Sequence, residues 1–391
     1  MASRNNSSST FDVAVIGAGV FGAWTALKLQ HAGLRVALVD AHGAGNSRAS
    51  SGGESRIMRM GYGADEIYTR SAIESFVDWQ EFIAQTGRPL FHRTGVLWLA
   101  HQDDQYLIDT KETLARVGVN FEELSRSELE YRYPQIDFTE IEWGLLEPDS
   151  GVLMARQLVA AVVQEAVERG AGYLQDSVKP PTNIESSQVR DIETQNGHRI
   201  SADKFLFACG PWLPKLFPGL LGELIQPTRQ EEFFFGVPAG ERRFAPPAMP
   251  VWIDFHDLIY AIPDLEARGF KIAIDEHGPG FDPETGNRTI TAEGTKAIRE
   301  HLARRLPSFA QAPVIETRVC QYENTSNGDF LIDRHPSFEN VWLMGGGSGH
   351  GFKHGPAVGE YAAALVTGVN ADPEPRFSLA TKGSVQRRAV Y

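Results

Sequence analysis

Phe11-Asp-Val-Ala-Val-Ile16 is a run of strand-forming residues that opens onto Gly17-Ala-Gly19-Val-Phe-Gly22. An alanine- and leucine-rich stretch through Leu29 reads as a helix. Leu34-Arg-Val-Ala-Leu-Val39 reads as a second strand, ending on Asp40. Glycines at this spacing occur in many chains, but between a strand and a helix they form a phosphate cradle. Gly17 permits the tight turn, Gly19 lets a pyrophosphate approach the backbone, and Gly22 lets the helix pack on the sheet. The anion then meets free N–H groups and the positive end of the helix dipole. Asp40 stands 23 residues after Gly17, where a carboxylate accepts hydrogen bonds from a ribose diol. An acid at that point argues against NADP. The motif alone leaves NAD and FAD open.

A chain of 391 residues suggests two or three structural units. At 42% hydrophobic and 22% charged it has the composition of a globular protein with a large core. The net charge of −13 argues against nucleic acid and anionic membrane as partners. Two cysteines, Cys209 and Cys320, cannot build a disulfide framework or a cysteine metal cluster, and they point to a reducing, cytoplasmic compartment. No apolar run reaches the roughly eighteen residues of a membrane span. The eleven histidines show no ligand spacing such as HExxH, so no metal is expected. Residues 1–10 are polar, lack an apolar signal core, and read as a disordered leader.

Residues 46–62 are small, polar and glycine-bearing, and read as a loop. Helices are expected over 66–86, within 103–134, and over 155–169, 292–306 and 357–366. Strands are expected at 93–99, 173–174 and 200–209, with a turn at 147–153. Lys204-Phe-Leu-Phe-Ala-Cys-Gly210 looks like a buried parallel strand stopped at a ligand. Residues 231–235, 251–255, 258–260 and 270–274 are strand-rich and aromatic, which suggests an antiparallel or mixed sheet. Val341-Trp-Leu-Met344 is a last buried strand before Gly345-Gly-Gly-Ser-Gly-His-Gly-Phe-Lys353. The expected fold class is α/β (α+β), with a Rossmann-like nucleotide domain made of 11–90, 150–220 and 320–391. A mixed or antiparallel-sheet substrate domain, 91–149 and 221–319, is inserted into it.

Four motifs stand in the order and spacing of one family: the glycine opening, Ser50-Ser-Gly-Gly-Glu-Ser55-Arg56, the Cys320 segment and Ser348-Gly-His-Gly-Phe-Lys353. Over roughly residues 10–380 the chain resembles the monomeric sarcosine oxidase family of flavoprotein amine oxidases. Pipecolate, N-methyltryptophan and fructosyl amino acid oxidases are relatives of that group. The resemblance implies FAD as cofactor, with Cys320 joined by a thioether to the flavin. The thiolate this needs is favoured by a nearby cation, and Arg318 is a sequence-near candidate. It further implies that Lys271 activates dioxygen, since a preplaced cation lowers the barrier to superoxide. A lone lysine in an apolar strand otherwise snorkels outward.

The resemblance places Tyr322 and Tyr260 beside the substrate and Arg56 near the flavin ring. It gives Arg59 and Lys353 to a substrate carboxylate, a pairing that suits the arginine fork and the lysine point charge. Gly347, Ser348, Gly349, His350 and Gly351, with Ser50 and Ser55, fall on flavin-contacting positions, and His350 reads as structural. Cys209 ends a core strand and reads as inert. Two departures bear on substrate choice. Gly52 replaces a histidine near the flavin, and either Asp275 or His277 lies where another pocket histidine is expected. Ile262 also replaces a pocket phenylalanine. The implied reaction oxidises the C–N bond of a small secondary amine or amino acid to an imine, with O2 giving hydrogen peroxide. The chain would act as a monomer or weak oligomer. The alternatives are a flavin-dependent amine dehydrogenase with a non-oxygen acceptor, a NAD-dependent dehydrogenase, and a non-catalytic flavin-binding subunit.

Overall fold

The computed structural model describes residues 11–185, 187–369 and 372–387; the leader at 1–10 lies outside them. Two compact units emerge. One holds the chain up to Glu54, Ala155–Gln226 and Glu323 onward, and the other holds Ser55–Met154 and Pro227–Tyr322.

The first unit is built on strand β1 (Phe11–Ile16), helix α1 (Val20–His31) and strand β2 (Val36–Asp40). β1 runs parallel to β2 on one side and to Arg199–Phe207 on the other. Gly172–Gln175 and Val341–Gly345 extend the parallel core outward. Ile16, Val39, Phe205, Phe207 and Leu343 are buried together, each burial contributing about 1.5–3 kcal/mol. α1 is buried almost all round, as expected of a helix with apolar residues on every side. Helix Gly355–Thr367 lies against it, and its Gly359 is needed there: a Cβ would stand 2.8 Å from the Trp24 backbone.

The second unit contains an eight-stranded mixed sheet. Its order is Val314–Thr325, Ile225–Phe235, Phe270–Ile274, Ile259–Ile262, Val251–Asp254, Val96–Ala100, Trp143–Glu147, Glu122–Ser125. Val251–Asp254 and Val96–Ala100 pair in parallel, and the remaining pairs with recorded register are antiparallel. Alternation divides this sheet into two chemically different faces. Phe233, Phe235, Ile272, Ala261, Trp252 and Leu97 share one face and form an apolar core with Ile298 and Leu302 of helix Ala292–Arg305. Their neighbours Glu232, Lys271 and Tyr260 point the other way.

The α/β class and the mixed sheet match the expectation. Residues 55–90 do not sit where the sequence placed them. Arg56–Met58 is a strand, β3, rather than part of a loop, and it pairs with Gly151–Leu153, which also pairs with Phe91–His92. This small sheet ties the segment to the second unit and replaces part of the expected turn at 147–153. No helix among the described residues is long and apolar enough to cross a membrane.

Candidate active site

In the first unit the glycine turn has a steric reason at each end. Gly17 has φ +105°, and a Cβ there would lie 2.3 Å from the carbonyl oxygen of Ala208. A Cβ on Gly22 would lie 1.9 Å from Gly17 O. Gly19 is the N-cap of α1 and supplies no side-chain cap. Ser51 Oγ lies 3.3 Å from Val20 N as its acceptor. Asp40 organises the turn directly: Oδ2 accepts from Ala18 N at 2.7 Å, and Oδ1 accepts from His42 N and Gly43 N at 2.8 Å. A carboxylate has about four acceptor positions, so these bonds leave capacity for a ribose hydroxyl.

The second glycine run closes the same unit. Gly346, Ser348 and Gly349 have φ of +69°, +44° and +81°. Ser348 Oγ donates to Gly346 O and accepts from Thr325 N. His350 stacks on Phe330 with ring centroids 4.9 Å apart, and its Nε2 is 3.1 Å from Gly328 O. Lys353 Nζ donates to His350 O at 2.9 Å. Glu323 is buried against this loop: Oε1 accepts from Gly347 N at 3.3 Å, while Oε2 has no hydrogen-bond partner. Burial lifts its pKa to about 7, against the Gly347 and Gly346 N–H groups.

The polar face of the second unit gathers the other expected residues. Lys271 Nζ donates to Glu232 Oε1 at 2.9 Å, and Arg56 lies 3.6 Å from the same oxygen. Arg56 Nη2 reaches Cys320 Sγ at 3.4 Å. Tyr260 presents its ring 5.8 Å from Lys271 Nζ. Tyr322 donates its hydroxyl to Asp275 Oδ1. Cys320 and Tyr322, two apart on one strand, share a face as their spacing predicts.

Burial lowers the Lys271 pKa while Glu232 opposes it. Burial disfavours the Glu232 charge too, but Lys271 and Arg56 outweigh it and hold the carboxyl below its ordinary range. A buried ammonium and carboxylate in contact offset part of each other's cost of leaving water. Burial raises the Cys320 thiol above its usual value although Arg56 attracts the thiolate. Burial, then Asp275, raises Tyr322 well above an ordinary tyrosine.

Arg59 is held separately on the same unit, its guanidinium 4.3 Å from the Tyr62 ring centroid and 4.9 Å from that of Trp98. Burial opposes its charge, but Tyr62, Tyr106, Glu147 and Asp275 keep it protonated. Glu147 accepts from Met60 N, Gly61 N, Trp98 Nε1 and Ser150 Oγ, and so fixes the turn that carries Arg59. Ser55 contributes its carbonyl to Arg56 Nη1 at 2.8 Å. Ser50 lies in the turn after β2 in the first unit.

The cation hydrogen-bonded to Cys320 is Arg56, whereas the sequence-near Arg318 pairs with Glu316 at 2.8 Å. Both members of the Asp275/His277 alternative lie at Tyr322: Asp275 accepts its hydroxyl, and the His277 ring stands edge-on to it with centroids 6.3 Å apart. Sequence reasoning missed Glu232, Glu147 and Glu323. The available signal for Glu232 was an acid directly before the Phe233–Phe235 run, which reads as functional only once its partner across the strands is known. Cys209 donates to Ile16 O, and burial raises its pKa.

A family model described as FAD dependent oxidoreductase matches residues 12–365. Monomeric sarcosine oxidase of Bacillus sp. (strain B-0618) is 31% identical, over 98% of this chain and 100% of its own. Peroxisomal sarcosine oxidase of Homo sapiens is 31% identical over 90% of each chain. In fold, the chain is similar to L-proline dehydrogenase from P. horikoshii, with a TM-score of 0.82 at 22% identity. That match covers 95% of this chain and 97% of the other.

Proposed function

The chain belongs to the family of FAD dependent oxidoreductases that includes the monomeric sarcosine oxidases, and from this premise we propose that its Lys271–Glu232–Arg56–Cys320 cluster serves the oxidation of a secondary amine or amino acid. N-methyl, cyclic and glycated amino acids are the candidate substrates. The carrying observation is that cluster: two cations, a carboxylate and a thiol in mutual reach, with the Lys271–Glu232 pair buried and Arg56 joining it to Cys320.

The residues fit FAD. Positions 17 and 22 exclude any side chain, and the turn delivers a helix N-terminus to a phosphate. Gly17, Gly19, Gly22 and Asp40 are assigned to the adenosine and pyrophosphate. Ser50, Ser55, Gly347, Ser348, Gly349, His350, Gly351 and Lys353 are assigned to the remainder of the cofactor, and Cys320 to its covalent attachment. FAD, when bound, accepts two electrons from the carbon–nitrogen bond and passes them to an acceptor.

The protein's own groups supply position and charge. Arg59 and Lys353 take the substrate carboxylate. Tyr260 and Tyr322 line the amine, and Asp275, which accepts the Tyr322 hydroxyl, offers the carboxylate that takes up the amine proton. Arg56 stabilises negative charge near Cys320. Lys271 stabilises the anion formed when O2 takes its first electron, and a second electron with two protons completes H2O2. The imine product then hydrolyses to an amine and a carbonyl compound. We place the enzyme in the cytoplasm, on its cysteine usage, as a monomer or weak oligomer.

The test is anaerobic mixing of the yellow protein with a panel of secondary amino acids, followed by air. Bleaching by at least one member, and one peroxide per turnover, is the expected result. Bleaching without peroxide but with reduction of an added quinone would replace the oxidase by a dehydrogenase, a reading that the charge-compensating Glu232 favours. No bleaching by any amine supports a flavin-binding subunit. Cys320→Ala should release flavin on acid precipitation, or fail to retain it. Flavin that stays in the pellet of that variant would move the attachment elsewhere.

A further inference from the structure

We propose that His101, Asp254 and His256 form a binding site for a divalent transition-metal ion, on the opposite side of the second sheet from Lys271. The register Val251↔Val96 and Ile253↔Trp98 brings the ends of two parallel strands side by side. His101 follows one strand, Asp254 ends the other, and His256 stands in the turn beyond. One donor atom from each of the three lies within 4.8 Å of the others. His101 Nε2 is 3.1 Å from Asp254 Oδ1, and the two imidazoles stack with centroids 4.2 Å apart. A tetrahedral ion with bonds of about 2.0–2.2 Å holds its ligands roughly 3.3 Å apart, so small side-chain movements close the site.

The surroundings are those a metal site uses to orient its ligands. Asp254 is fully buried, and its second oxygen accepts from the buried Arg305 at 2.8 Å. Asp257 N donates to Asp254 Oδ1 at 3.1 Å, and His256 Nδ1 lies 3.3 Å from Asp257 Oδ1. Asp254 and Asp257 pair with Arg305 and Arg304, and Asp104 lies close to His101, Asp254 and His256. The His256 side chain is 65% exposed, which gives an ion a way in. Two imidazoles and one carboxylate suit zinc, cobalt, nickel or copper, with water in the open positions. Calcium and magnesium prefer all-oxygen sets. Because Asp254 alternates with Ile253, which pairs with Tyr260, the site stands apart from the amine chemistry and does not rest on that reading. The bound ion would cross-link the end of Val96–Ala100 to the turn after Asp254.

The experiment uses the full-length protein with its flavin, stripped of metal by chelator and titrated with Zn2+ in a calorimeter. Cobalt absorbance beyond the flavin bands reports geometry. One ion per chain is expected, together with a zinc-dependent rise in melting temperature that follows from binding to the folded state alone. His101→Ala and His256→Ala should each weaken binding by at least about tenfold and abolish the melting shift. His198→Ala, an exposed histidine elsewhere, should bind like the wild type. Less than one ion per wild-type chain, or unchanged affinity in His256→Ala, would overturn the site and leave a hydrogen-bonded histidine–aspartate pair only.

Discussion

Glu323 has a folded-state pKa raised to about 7 by burial, against an ordinary value of 4.5. Its stability contribution is therefore fully present below pH 4.5 and is lost as pH rises through about 7. A displacement of that size corresponds to about 3 kcal/mol at most. Glu323→Gln should match the wild type near pH 4.5 and exceed it by up to about 3 kcal/mol near pH 8, measured as urea midpoints at both values. The same advantage at both pH values would mean that the carboxyl does not titrate there. Lys271 is predicted differently, because its charge is shared with Glu232 and Arg56. Lys271→Met should slow reoxidation by O2 at least tenfold while anaerobic reduction changes less. The double variant with Glu232→Gln removes the carboxylate that the single change leaves facing Arg56 alone. Equal slowing of both half-reactions in both variants would remove the oxygen role. The sequence singled out Lys271, Cys320 and Tyr322 by family resemblance, and the spacing of the last two put them on one face. It could not disclose Glu232, whose meaning depends on a partner 39 residues away across two strands.

At the scale of elements, the β1–α1–β2 unit was the most legible part of the chain, because its strand pattern, glycines and terminal acid agree with one another. Gly22→Ala tests that agreement. The new Cβ would meet Gly17 O, and α1 cannot back away while Gly355 and Gly359 of the neighbouring helix pack against Val20 and Trp24. The variant should lose about 1–3 kcal/mol and retain less flavin after gel filtration. Gly219→Ala, where a Cβ meets nothing within 4 Å, is the neutral comparison. Stability equal to that comparison would show the turn to be more pliant than its contacts imply. Arg56–Met58 was illegible as a strand because three residues carry almost no periodic signal, and its pairing to Gly151–Leu153 joins distant segments. Glu122–Ser125 was hidden for a different reason, lying between helices Gln105–Val117 and Arg126–Arg132, whose 3.6-residue pattern dominates the window.

Across the whole molecule, the chain passes between its two units after Glu54, Met154, Gln226 and Tyr322. The last two passages occur inside the long strands Ile225–Phe235 and Val314–Thr325. Neither unit is a contiguous segment, so heating should give one unfolding transition, with flavin fluorescence and far-ultraviolet dichroism changing together. Two separated transitions would show that the strands can part at those passages. The expectation of a discontinuous first domain came from reading the glycine turn and the second glycine run as parts of one nucleotide site. The passages at Gln226 and Tyr322 were not legible, since the chain crosses them within strands. The alternating sheet of the second unit has a consequence for how such an enzyme diversifies. Tyr260 and Ile262 share the Lys271 face, and Ile259 and Ala261 face the core. Selection can therefore rewrite every second residue of a strand for a new amine while the intervening residues go on specifying the fold. A laboratory library confined to the first set should recover changed substrate preference far more often than collapse.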